Sequence, residues 1–131
     1  MMTGHLLGVA EKTSPDIVQS ITELGKKGQP AVDFLLLALN DGDKRVRIAA
    51  AHALGKIGDS RSVEPLISML QDRDRDIRFI SASALGMIGD PRAIEPLARA
   101  CIDENCFVRI TAKEALTRLS SPVENNSLRF F

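Results

Sequence analysis

Residues 46–58 read Val46-Arg47-Ile48-Ala49-Ala50-Ala51-His52-Ala53-Leu54-Gly55-Lys56-Ile57-Gly58. The pattern returns as Ile77-Arg78-Phe79-Ile80-Ser81-Ala82-Ser83-Ala84-Leu85-Gly86-Met87-Ile88-Gly89. It returns again as Val108-Arg109-Ile110-Thr111-Ala112-Lys113-Glu114-Ala115-Leu116-Thr117-Arg118-Leu119-Ser120. The offset is 31 residues each time, with no insertion between copies. The register extends upstream through Val32, Val63 and Ile94, and through Leu35, Leu66 and Leu97. Self-similarity at such a period marks an array of stacked supersecondary units, each unable to bury its apolar face alone.

Each unit reads as two helices. The first, over 31–39, 62–70 and 93–101, spaces apolar residues helically, as in Val63, Leu66, Ile67 and Leu70. Pro65 and Pro96 then fall in the first turn, where a missing N–H does little harm. The second helix, over 43–57, 74–88 and 105–119, carries Val46, Ala50, Ala53, Leu54 and Ile57 on one face. Asp43, Asp74 and Asn105 are its N-caps, and Gly58 and Gly89 follow its last apolar residue as C-caps. Short turns make neighbouring helices antiparallel. Small residues at Ala50/Ser81/Ala112 and Ala53/Ala84/Ala115 let helix axes approach closely. The expected fold is all-α, a right-handed α-solenoid of antiparallel helix pairs.

Upstream, Ser14-Pro15-Asp16 starts a helix, with Ile17, Val18, Ile21 and Leu24 at helical spacing and Gly25 ending it. This reads as the second helix of a degenerate unit whose first helix lies at 5–12. The expected organisation is one domain over 1–120, with a degenerate unit at 1–27 and full units at 28–58, 59–89 and 90–120. A polar, turn-rich tail follows over 121–131, closing on the apolar Leu128-Arg129-Phe130-Phe131.

The chain has 131 residues, 44% apolar and 26% charged, as in ordinary globular domains. Seventeen basic residues balance seventeen acidic ones, which argues against a dedicated nucleic-acid binder. With no Trp, no Tyr and five Phe, few aromatic platforms exist for stacking bases or flat cofactors. Two cysteines do not make a disulfide framework, which points to a reducing compartment. The first ten residues lack the basic and apolar regions of a signal peptide, and the longest apolar run, 34–39, is too short to span a bilayer. A cytoplasmic location without membrane contact is the expectation.

The Asp-x-Arg start followed by Val/Ile-Glu-Pro-Leu occurs at Asp59, Arg61 and Val63–Leu66, and again at Asp90, Arg92 and Ile94–Leu97. With the Val/Ile-Arg…Ala-Leu-Gly-x-Ile-Gly stretch after it, this resembles HEAT repeats of the bilin-lyase (PBS-lyase) type, over about 28–120. The first unit departs most, with Phe34 where the others have Pro65 and Pro96. The resemblance implies a hydrogen-bonded structural ladder along the stack, formed here by Asp41, Asp72 and Asp103 with Arg47, Arg78 and Arg109. It also implies that the second helices line a concave face whose non-core positions recognise ligands.

Little in the chain looks like catalytic or metal-binding chemistry. The two histidines, His5 and His52, precede Leu6 and Ala53, so the repeated His-Glu pairs that mark HEAT-repeat metal-dependent hydroxylases are absent. Cys101 takes a core position held by Leu39 and Leu70. Cys106 begins a helix, where a thiol pKa can fall, but no histidine lies near it in sequence. Asp33, Glu64 and Glu95 repeat once per unit as a solvated ladder rather than a catalytic pair. No metal, no cofactor and no enzymatic activity is expected.

The residues left for a partner are the concave ladders that the resemblance implies. Ile48, Phe79, Ile80, Met87, Phe107 and Ile110 are apolar at solvent-facing sites, with His52, Ser83 and Glu114 among them. Lys44, Arg45, Lys56, Arg75 and Arg118 form a basic rim. An apolar centre within a charged rim fits a protein or peptide docking patch. The plainer alternative is that curvature or the terminal segments cover these residues. The leading expectation is a non-enzymatic protein–protein interaction and assembly scaffold. Its alternatives are a bilin-lyase-like accessory subunit and a binder of nucleic-acid backbone through the basic rim. Without an evident polar cap, the C-terminal end is open to stacking into a homodimer.

Overall fold

A computed structural model of the chain describes residues 15–120. These form seven α-helices: α1 (Pro15–Gly25), α2 (Val32–Ala38), α3 (Lys44–Ile57), α4 (Val63–Met69), α5 (Arg75–Ile88), α6 (Ile94–Ala100) and α7 (Cys106–Ser120). No strand occurs among the described residues. The expected helix at 5–12, with His5, and the tail at 121–131 lie outside them.

Local sequence explains where each helix starts and stops. The carboxylates of Asp43 and Asp74 accept from the N–H of Arg45 and Asp76, capping α3 and α5. Asn105 Oδ1 accepts from the N–H of Phe107 (2.9 Å) and Val108 (3.2 Å) and caps α7 the same way. Gly58 and Gly89 close α3 and α5 in the left-handed conformation, φ 80° and 75°, where a side chain would be strained.

The first helices are shorter than their apolar spacing suggests. Each begins with a 3₁₀ turn, Gln29–Ala31, Ser60–Ser62 or Pro91–Ala93, and continues as seven residues of α-helix. Asp59 and Asp90 cap the second and third of these turns. Pro65 and Pro96 sit in the first turns of α4 and α6, where their missing N–H leaves no helical bond unmade.

The helices α1, α3, α5 and α7 pack on one another in a row, while α2, α4 and α6 pack mainly on the second helix of their own unit. The first helices touch each other only sparsely. Contact is close along the row of second helices, the side that the repeat resemblance makes the inner one, and sparse along the row of first helices. The core is one continuous cluster running from Ile21 through Leu35, Leu54, Leu66 and Leu85 to Leu97 and Val108. Fully burying each such side chain contributes about 1.5–3 kcal/mol, so every added pair stabilises the pairs beside it.

The row is close because it is built from glycine and alanine. A methyl group on Gly86 would lie 2.9 Å from Ala115 Cβ and 3.1 Å from its Cα. Gly55 meets Ala84 in the same way one unit earlier. The next residue of this series, on α7, is Thr117, which is exposed. A helix pair stacked on α7 in the same register would meet the Thr117 side chain where Gly55 and Gly86 have none.

Candidate functional site

The connections leading into the second helices carry the Asp/Arg ladder. Asp41, Asp72 and Asp103 each accept, through Oδ1, the N–H two residues on, at 2.8 Å in every unit. Each ladder arginine donates back to the carbonyl of its own aspartate: Arg47 to Asp41 (2.8 Å), Arg78 to Asp72 (2.9 Å) and Arg109 to Asp103 (2.7 Å). These bonds tie each connection to its helix. Among the described residues one rung joins two units. Arg78 grips the Asp103 carboxylate with Nε at 2.8 Å and Nη2 at 3.1 Å, and both side chains are nearly buried. Burial pushes Asp103 up, yet the hydrogen bonds from Arg78 and the Asn105 N–H hold its pKa below the ordinary 3.8.

A second ladder runs along the first helices, where the sequence suggests only solvated carboxylates. Arg61 clasps its own Asp59 and reaches back to Asp33 at 2.9 Å. Arg92 clasps Asp90 and reaches Glu64 at 3.6 Å. The arginine hydrogen bonds hold Asp59 and Asp90 below the ordinary carboxylate range. Arginine in the Asp-x-Arg start is the signal that could have revealed this, since it recurs before α4 and α6, at Arg61 and Arg92.

On the inner side, Lys44 of α3 is bound by two carboxylates of the next unit, Asp76 at 2.8 Å and Asp74 at 2.9 Å. Their hydrogen bonds, Asp76 more than Asp74, raise the Lys44 pKa above 10.5. Arg45 folds onto its own cap, Asp43, at 3.4 Å. Two of the five rim cations are therefore already neutralised. Lys56, Arg75 and Arg118 are exposed and carry no ionic partner among the described residues.

The apolar patch is smaller than the sequence suggests. Phe79, Phe107 and Ile110 are exposed, at 40%, 66% and 52%. Ile80 is not: it is buried within the core. It lies three residues after Ile77 and four before Ala84, so it belongs to the core-facing stripe of α5. Ile48 and Met87 are half-buried and packed against the core, Met87 lying over Gly55 of the preceding helix. Ser83 is half-buried, while His52 and Glu114 are exposed. Two exposed apolar residues outside this face, Leu37 on α2 and Ile102 before α7, were not singled out in the sequence.

Among the hollows along the inner helices, two have apolar walls. One, of about 300 Å³, is lined by Arg75, Asp76, Phe79, Asn105 and Phe107. The other, of about 220 Å³, lies between α1 and α3 and is lined by residues that include Thr22, Lys26, His52 and Lys56. The remaining reactive groups stay apart. Cys101 is half-buried against the core and Cys106 is exposed at the start of α7. Among the described residues no three of His, Cys, Asp and Glu gather as metal ligands would. The Ser81 hydroxyl, at a position held by Ala50 and Ala112, is fully buried with no hydrogen-bond partner. Among the described residues no helix is long and apolar enough to cross a membrane.

Comparison with protein families matches HEAT repeats over residues 6–82 and again over 32–117. It identifies the repeat at the level of HEAT, above the bilin-lyase subtype. A search of curated proteins by sequence gives no match. Among solved structures, human deoxyhypusine hydroxylase in complex with glycerol is similar, with TM-score 0.77 and 26% identity over 88% of this chain. The chain spans 41% of the length of that enzyme. This corrects the expectation of a non-enzymatic chain. An enzyme shares both the fold and part of the repeat sequence, so a sequence without a recognisable catalytic motif does not assign the chain to the non-enzymes.

Proposed function

The chain belongs to the HEAT-repeat family, and from that premise we propose that it is an interaction scaffold docking a protein or peptide on its second-helix face. The observation that carries this reading is the shared hollow of Phe79 and Phe107, two exposed aromatic side chains with a charged and polar border. Ile110 extends the same apolar line along α7. Apolar side chains left open on a face whose other positions are packed or charged are what a docking patch presents. The charge pattern favours a protein over nucleic-acid backbone, because Lys44 and Arg45 are taken by Asp74, Asp76 and Asp43.

Photo-crosslinking tests this reading. A benzophenone side chain at position 79 or 110 should give a discrete adduct in the native cell, and one at Glu95 on α6 should not. Equal labelling from both sides would count against a defined inner-face partner.

A second reading rests on the similarity to human deoxyhypusine hydroxylase, in which the repeat array belongs to an enzyme. Metal analysis of the purified protein, with an assay for hydroxylation of deoxyhypusine, addresses it. Bound metal with turnover would favour this reading over docking alone.

A further inference from the structure

The 31-residue repeat lets each inner-face position be compared with its counterpart one unit on. Lys44 occupies a socket made by the start of the next second helix, where Asp74 and Asp76 bind it at 2.9 and 2.8 Å. One unit later the cation is Arg75, and the two socket positions are Asn105 and Phe107. Both carboxylates have been replaced by neutral residues. Arg75 is exposed, and among the described residues its guanidinium has no ionic or hydrogen-bonding partner.

The emptied socket is also apolar. The hollow of about 300 Å³ lies among Arg75, Asp76, Phe79, Asn105 and Phe107. Asn105 Oδ1 is committed to the N–H groups of Phe107 and Val108, which leaves its amide nitrogen to donate. The one acid lining the hollow, Asp76, is engaged by Lys44. A larger neighbouring hollow of about 570 Å³ shares Arg75, Asp76 and Asn105 and is lined also by Lys44, Arg73, Asp74, Arg78 and Glu104. Of its acids, Asp74 and Asp76 are held by Lys44 and Glu104 lies 3.6 Å from Arg78, while the exposed Arg73 side chain has no ionic partner among the described residues.

We infer that this socket receives a carboxylate side chain of a peptide partner, next to a large apolar side chain that packs between Phe79 and Phe107. The ligand carboxylate replaces the charge that Asp74 and Asp76 supply to Lys44. The guanidinium fork of Arg75 offers it two parallel N–H donors. The hollow is at the small end for a ligand site, with room for one anchoring side chain and its neighbour. One or two cations beside two aromatic rings suit an acidic-apolar peptide better than a phosphate backbone, which needs an array of cations. The inference rests on the docking reading above and names the partner's chemistry within it.

Selection from a random-sequence peptide display library tests it, with the full chain as bait and Arg75→Gln and Phe79→Glu variants in parallel. Both substituted residues are exposed, and thermal melting followed by circular dichroism checks that each variant folds. The wild type should enrich peptides with Asp or Glu within two positions of Phe, Leu, Trp or Tyr. Arg75→Gln should lose the acidic preference and bind an enriched peptide about tenfold or more weakly, as expected for a lost charge-assisted hydrogen bond. Phe79→Glu should lose enrichment altogether. If peptides are enriched without acidic residues and lost with Phe79→Glu, docking stands and the carboxylate inference falls. If nothing is enriched, or enrichment survives Phe79→Glu, the docking reading falls and the inference with it. A wild-type dimer in sedimentation that Phe79→Glu disperses would assign the socket to a second copy and overturn the inference.

Discussion

Arg78 holds Asp103 of the following unit with two hydrogen bonds, at 2.8 and 3.1 Å, whereas Arg47, its counterpart one repeat earlier, stays on its own connection at the Asp41 carbonyl. The two arginines share a sequence position and differ in what they join. Arg78 links units, and Arg47 fixes only a turn.

Their removal should therefore differ in cost. Arg78→Ala breaks a nearly buried ion pair and strands the Asp103 carboxylate, lowering stability by about 3 kcal/mol. Arg47→Ala removes a hydrogen bond to a carbonyl and should cost about 1 kcal/mol. Urea unfolding of the two variants measures the difference. Equal losses would show that the rung between units adds nothing.

The same pair sets a pH dependence. Asp103 has a lowered pKa in the folded chain, so the native state binds its proton less readily than the unfolded state does. Its contribution is thus present above the ordinary value of 3.8 and is lost as pH falls through the lower folded value. The stability gap between wild type and Asp103→Asn should be wide at about pH 6 and close towards about pH 2. A gap independent of pH would contradict the pairing.

Close stacking of α5 on α7 makes Gly86→Ala a sensitive probe. Alanine favours an isolated helix over glycine by about 1 kcal/mol. Here its methyl group would meet Ala115 Cβ at 2.9 Å and its Cα at 3.1 Å. Overpacking should win, with a net loss of about 1–3 kcal/mol in thermal or urea unfolding. A gain in stability would show that the row can open without cost.

Ser81→Ala should act in the opposite direction. The buried hydroxyl has no partner, and the other two units carry alanine at that position. Removing it should stabilise the fold by about 1 kcal/mol, read as a higher melting temperature.

The repeat, the caps at Asp43, Asp74 and Asn105, and the small residues that let the helices approach were all legible in the sequence, because each depends on local spacing. Ile80 was misread because it lies at the edge of an apolar stripe, where burial depends on how far the neighbouring helix reaches. Lys44, Arg61, Arg78 and Arg92 each reach a carboxylate of another unit, and the rotation between units that brings these pairs together is not written in any single repeat. The patch was visible as a set of apolar residues, and packing of Ile48 and Met87 against the core reduced it to Phe79, Phe107 and Ile110.

The double variant Phe79→Glu with Ile110→Glu tests the docking claim most directly, through its melting temperature and its binding of a peptide selected on the wild type. Both side chains are exposed, so the fold should survive with a melting temperature near that of the wild type while binding is lost. Unchanged binding would place the interface elsewhere, and an unfolded variant would show that these residues belong to the core; either result would contradict the account.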